Sequence, residues 1–212
     1  MNDQWIFHNV RSSILDQDDV DTDAIIPQTE LVTTAKTGLS KGLFARWRYD
    51  GTGLLRSDFV LNKSDNRRSK VLVSGRNFGC GSSREHAVWA LKDYGIVAVL
   101  ALSFGEIFYR NSVRNGLIVA AISDGTYNML LRSCNPESMG MFMSLDLGGK
   151  RIEWLTSEGL VETADINIDD GDRERIASGQ DDIDITLKCQ SEIDQYVEQD
   201  LSARPWIYST TR

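Results

Sequence analysis

Between residues 71 and 122 the chain alternates short apolar runs with longer amphipathic ones, and few folds accommodate that order. The runs VLVSG (71–75), IVAVLAL (96–102) and LIVAAI (117–122) are rich in β-branched residues and predict strands buried on both faces. SSREHAVWALKDYG (82–95) and SFGEIFYRNSVRNG (103–116) lie between them and read as helices, the second ending at Gly116. This succession predicts an α/β fold built on a mostly parallel β-α-β core with right-handed crossovers, because strands this apolar need cover on both sides.

The flanks obey other patterns. Residues 1–70 hold DVDTDAIIP (19–27), a polar stretch at 28–41, an aromatic cluster LFARWRY (43–49) and a loop-like NKSDNRRS (62–69), read as strands and loops around the core. MFMSLDLGGKRIEWL (141–155) predicts a hairpin turning on Gly148 and Gly149. The acidic stretch 165–187 is expected at the surface, with a terminal helix near 186–201. A chain of 212 residues without repeats suits one domain with a tail.

Charge and cysteine usage remove several functions. A net charge of −8 with scattered Lys and Arg argues against a nucleic-acid partner, which demands a basic face. No apolar run approaches the roughly 20 residues of a membrane span, and the first residues lack a secretory pattern, so a cytoplasmic setting is expected. Cys80, Cys134 and Cys189 are odd in number and widely spaced, without a Cys-x-x-Cys pair. No metal is expected on this chain by itself.

The chemistry concentrates in GRNFGCGSSREHAVWAL (75–91). A glycine-rich turn from strand to helix suits an anion, because unpaired N–H groups and the positive dipole end face the ligand. Gly79 and Gly81 allow close backbone approach. GCGSSR has Arg84 where a dinucleotide fingerprint needs its third glycine, and the P-loop spacing is absent, so nucleotide phosphate fits poorly. Two hydroxyls and a guanidinium on consecutive residues suit a carboxylate instead, with Arg84 as the fork and Ser82 or Ser83 as a proton acceptor over the helix start. SSRE (82–85) is equally a capping box, the commoner role of such a sequence. Cys80 and His86 read as packed residues, and with His8 far off the chain lacks material for a histidine triad. Asp19, Asp21 and Asp23 are candidates for a cation site or proton relay, or for turn residues bonding their own backbone. Arg110 and Arg114 read as a solvated helix face.

Taken together, DVDTDAIIP, TGLSKGLFARWRYD (37–50), GRNFGCGSSREHAVWAL, SFGEIFYRNSVRNGL and GQDDIDITL (179–187) resemble the small-subunit family of 3-isopropylmalate dehydratase, within the aconitase superfamily, over most of residues 5–190. The resemblance implies a three-layer β/β/α swivelling domain over 1–212, with its core at about 5–190 and a helical tail at about 186–212. It implies a large-subunit partner carrying a 4Fe–4S cluster, whose iron acts as a Lewis acid on an alkylmalate while this chain supplies the base. It makes Ser82 the base, puts Ser83, Arg84 and the Gly81 backbone on the substrate carboxylate, and sets Asp23 near the reacting centre. Substrate choice would fall to the loop at 28–38, where Leu31 and Thr33 and the lack of an arginine favour an alkyl substituent. The chain departs from the family at 165–180, which is unusually acidic, and at Gln180, where leucine is favoured. Paralogous subunits for methylmalate, dimethylmalate or homoaconitate, and a non-catalytic swivel-domain partner, are the alternatives.

Overall fold

Strand β1 (Ile6–Leu15) is the pivot of the molecule, since it pairs parallel on one side and antiparallel on the other. In the computed structural model, which describes residues 5–31, 35–156, 158–179, 182–187 and 189–208, seven strands form one sheet in the order β4-β3-β2-β1-β5-β6-β7. Strands β2 (Val71–Ser74), β3 (Ala98–Ala101) and β4 (Ile118–Ala121) continue the parallel half. Strands β5 (Gly140–Asp146), β6 (Arg151–Leu155) and β7 (Val161–Asp165) form the antiparallel half. The fold is mixed α/β with the mostly parallel core that the alternation predicts.

Burial follows strand type. β2 and β3 are buried at every residue, as parallel strands covered on both faces should be, whereas β6 alternates exposed and buried. Each fully buried Val, Leu or Ile contributes about 1.5–3 kcal/mol, so the central strands anchor the fold. Helices α3 (Glu85–Tyr94) and α4 (Glu106–Arg114) pack on each other and connect these strands, and α5 (Asp124–Ser133) follows β4. The expected hairpin forms, with Asp146 Oδ1 accepting from Gly149 N at 2.9 Å across its turn.

Two expectations change. Among the described residues before β2, β1 is the one strand; the rest folds into short helices, α1 (Thr22–Ile25) and α2 (Ala45–Arg48), and turns. The aromatic residues read there as a cluster do pack together, Phe44 stacking on Trp47 at 5.5 Å beside Phe59. The acidic stretch from 165 is not wholly surface, because Ile166, Ile168 and Ile176 are buried. Helix α6 (Asp170–Ser178) carries Ile176, and the chain divides into two compact units immediately afterwards, 1–177 and 178–212. Among the described residues Ile176 is the last one buried in the core. The second unit comprises helices α7 (Asp182–Leu187), α8 (Gln190–Ala203) and α9 (Pro205–Tyr208). No helix among the described residues is long and apolar enough to cross a membrane.

Candidate functional site

The loops after β1, β2 and β3 leave the same edge of the sheet, outside the carboxyl ends of parallel strands, where open α/β sheets place their ligands. Backbone bonds lace them together: Gly79 N donates to Val20 O (2.7 Å), Thr22 N to Cys80 O (2.9 Å) and Phe78 N to Ser103 O (3.0 Å). The Thr22 hydroxyl adds a bond to Ser82 O at 3.0 Å. Two motifs 60 residues apart, DVDTD and GCGSSR, thus become one surface.

The glycines of the turn are required for different reasons. Gly79 has φ +76°, and a Cβ built there would lie 2.2 Å from Phe108 Cγ, inside a buried aromatic cluster. Gly81 has φ +88°, but a Cβ there would make only ordinary contacts, the nearest with Asp21 Cβ at 3.5 Å. Gly79→Ala should therefore lose at least about 2 kcal/mol, as strain adds to overpacking, and Gly81→Ala about 1 kcal/mol from strain alone. Urea unfolding of the two variants measures the difference.

The acidic run sorts itself by partner. Asp18 Oδ1 accepts from Arg76 N (2.6 Å), Asp19 Oδ1 from Asn77 Nδ2 (2.7 Å), and Asp21 Oδ1 caps α1 through Ala24 N (2.6 Å). These are the turn and cap roles of aspartate. Among the described residues no group of three His, Cys, Asp or Glu is placed to hold a metal ion. Asp23 differs, because its two oxygens meet two guanidiniums: Oδ1 accepts from Arg84 Nη1 at 2.5 Å and Oδ2 from Arg46 Nη1 at 2.6 Å. The Arg84 hydrogen bond holds its carboxyl below the usual range, against a smaller effect of burial and aided by Gln28 N–H and the Arg46 charge. Because the folded value is depressed, Asp23 contributes stability above the unfolded pKa of about 3.9, lost as pH falls through the folded value. Carbon-detected NMR should show Asp23 titrating below ordinary aspartates, and Arg84→Gln should return it upward.

Ser82 and Ser83 are exposed and Arg84 is half-buried, its side chain 18% accessible. Arg84 Nη1 also donates to Ile26 O at 3.2 Å, so both hydrogens of that nitrogen are committed. The Nε and Nη2 edge enters no hydrogen bond among the described residues and remains available as a fork. The capping box does not form. Helix α3 begins at Glu85 with Arg84 as its cap residue, in extended conformation and without a side-chain bond, so the serines precede the helix. Glu85 Oε1 instead accepts from Asn115 Nδ2 at 2.6 Å, which ties α3 to the end of α4. The serines are consequently not consumed in capping.

The other candidates take structural places. Burial, then the charges of Asp21 and Asp19, push the Cys80 thiol up, away from nucleophile chemistry. The His86 ring lies 4.7 Å from that of Trp89. Arg110 pairs with Glu106 on an exposed helix face. Leu31 is partly buried against the core, and Thr33 lies outside the described residues.

Arg46 is the residue that sequence reading missed. ARWR on the short helix α2 holds two arginines with opposite fates. Arg48 is buried, donating to Ser40 O (2.8 Å) and Leu43 O (3.2 Å) and lying over the Tyr49 and Tyr94 rings. Arg46 turns outward to Asp23, 23 residues away in sequence. Two arginines two positions apart point to opposite sides, but nothing local says which one reaches the motif.

An exposed pair of hydroxyls and an unengaged guanidinium edge thus stand together at the rim of the parallel half of an α/β sheet. Residues 8–125, more than half of the chain, match the family model of the aconitase C-terminal domain, and the chain belongs to that family. It is 41% identical over 187 residues to the 3-isopropylmalate dehydratase small subunit of Rhodospirillum centenum, covering 88% of this chain and 90% of that one, and 40% identical with the same coverage to that of Brucella canis. The crystal structure of a 3-isopropylmalate dehydratase from Methanocaldococcus jannaschii matches with a TM-score of 0.60 and 32% identity, covering 90% of this chain and 98% of that one.

Proposed function

We propose that the chain is the small subunit of a heteromeric hydro-lyase of leucine biosynthesis, which converts 2-isopropylmalate to 3-isopropylmalate by dehydration and rehydration. The observation that carries this reading is the shared rim of the Ser82 hydroxyl and the unengaged Nε–Nη2 edge of Arg84. The edge receives a substrate carboxylate in fork geometry, with the Ser83 hydroxyl and the Gly81 backbone beside it. Ser82 takes the proton from the carbon next to that carboxylate, where the guanidinium favours its ionised form. The hydroxyl of the neighbouring carbon takes a proton from an acid on the large-subunit side and leaves as water, an alkene results, and the reverse steps return water with the positions exchanged, the carbon regaining its proton from Ser82. Asp23, kept ionised, orients Arg84 rather than carrying protons.

The three cysteines are far apart in sequence, Cys134 buried and Cys189 exposed, and our reading assigns the cluster to the partner. In the aconitase family the iron–sulfur cluster belongs to the large subunit, which supplies the Lewis-acid part of the chemistry. A cytoplasmic setting accords with a biosynthetic role. The alkyl preference rests on the loop at 28–38, yet Arg46 lines a recess together with Thr29 and Glu30 of that loop, and its presence gives a tricarboxylate such as homoaconitate a second claim.

The test is anaerobic mixing with the cluster-loaded large subunit, following alkene absorbance for isopropylmalate, methylmalate, dimethylmalate and homoaconitate. Preferred turnover of isopropylmalate is expected. A loaded complex that converts none of the four would overturn the enzymatic reading in favour of a non-catalytic partner, and preference for homoaconitate would reassign the substrate.

A further inference from the structure

We infer that Arg46 is a positioning residue that keeps Arg84 available to the substrate by taking up half of the Asp23 charge. The inference rests on the reading just given and deepens it. The geometry is a three-member chain, with Arg46 Nη1 at 2.6 Å from Asp23 Oδ2 and Asp23 Oδ1 at 2.5 Å from Arg84 Nη1. Without Arg46 the Asp23–Arg84 pair would be neutral, and Oδ2 would be free to turn onto Arg84 beside Oδ1, which already bonds Arg84 and accepts from Gln28 N at 3.3 Å. That arrangement competes with an incoming carboxylate twice over: it cancels the attraction, and it can occupy the fork edge that the substrate needs.

Arg46 relieves both. It holds Oδ2 away from Arg84, and it brings the cluster to a net charge of +1, two guanidiniums against one carboxylate, in a chain whose overall charge of −8 repels a dianion. Its own side chain is 60% accessible and lines a recess of about 490 Å³ with Glu30, Tyr49 and Asp50, so its removal leaves no cavity in the core. Glu30 and Asp50 flank the recess with negative charge, and the net effect at Asp23 therefore depends on Arg46 being bonded there.

The experiment uses the assembled, cluster-loaded complex. Arg46→Gln and Arg46→Ala should raise KM for the alkylmalate about fivefold, the order expected for one solvent-screened charge, with kcat within about twofold of the parent. Arg46→Lys should recover most of the loss, and added salt should raise KM less in Arg46→Gln than in the parent. In the variants without the cation Asp23 should titrate at a higher pH, which a purely structural role would not produce. An unchanged KM in Arg46→Gln, or a fall in kcat with KM unmoved, would overturn the inference. Ser82→Ala run alongside separates the two levels: if it abolishes turnover while Arg46→Gln is silent, only the role of Arg46 is lost; if it too is silent, the proposed function fails with it.

Discussion

Ser82→Ala in the assembled complex should lower turnover by about 10²- to 10⁴-fold, the contribution typical of a positioned general base, with KM little altered. The size follows from where the hydroxyl stands. It is exposed beyond the end of β2, and it precedes α3 instead of closing it, so alanine removes no cap and leaves no cavity. The bond that shapes this part of the turn runs from the Thr22 hydroxyl to the Ser82 carbonyl, a backbone atom that alanine retains. Unfolding free energy and association with the large subunit should stay within about 0.5 kcal/mol of the parent, as for surface substitutions generally. Steady-state kinetics beside a denaturation curve checks both halves. Normal turnover would remove Ser82 as the base.

Arg84→Lys should raise KM by about tenfold to a hundredfold, the loss expected when a charge-assisted hydrogen-bond pair is reduced to a point charge. In the native chain Nη1 is spent on Asp23 and Ile26 O, and the rest of the guanidinium remains for the ligand. A lysine has one nitrogen for all of these. Asp23 would hold it, and the substrate carboxylate would meet a neutralised ammonium. The split between KM and kcat is the informative quantity: a collapse of kcat with an ordinary KM would mean that Arg84 acts on the transition state and not on binding.

The parallel core was legible because its strands are continuous apolar runs, a pattern that exposure on either face would interrupt. The short helices α1 and α2 were not. Each has four residues, too few for a 3.6-residue period to show, and each is fixed by a single local device, the Asp21 cap in one case and the left-handed Phe44 in the other. At the site, Ser82, Ser83 and Arg84 could be named from their motif, whereas the capping box failed because Glu85 found Asn115, a partner 30 residues on. The acidic run looked uniform in sequence and became four different roles once Arg76, Asn77, the start of α1 and two arginines were placed around it. Arg46 escaped notice since its significance lies in a contact across the chain, while its neighbour Arg48, of identical chemistry, is buried two residues later.

The most direct measurement is the crystal structure of the complex between both subunits with an alkylmalate bound. The account predicts a substrate carboxylate forked on Nε and Nη2 of Arg84, Asp23 still bridging to Arg46, and Ser82 Oγ within about 3.5 Å of the carbon that loses its proton. A ligand held entirely by the large subunit, with Ser82 and Arg84 facing solvent on a surface that the partner leaves uncovered, would contradict it.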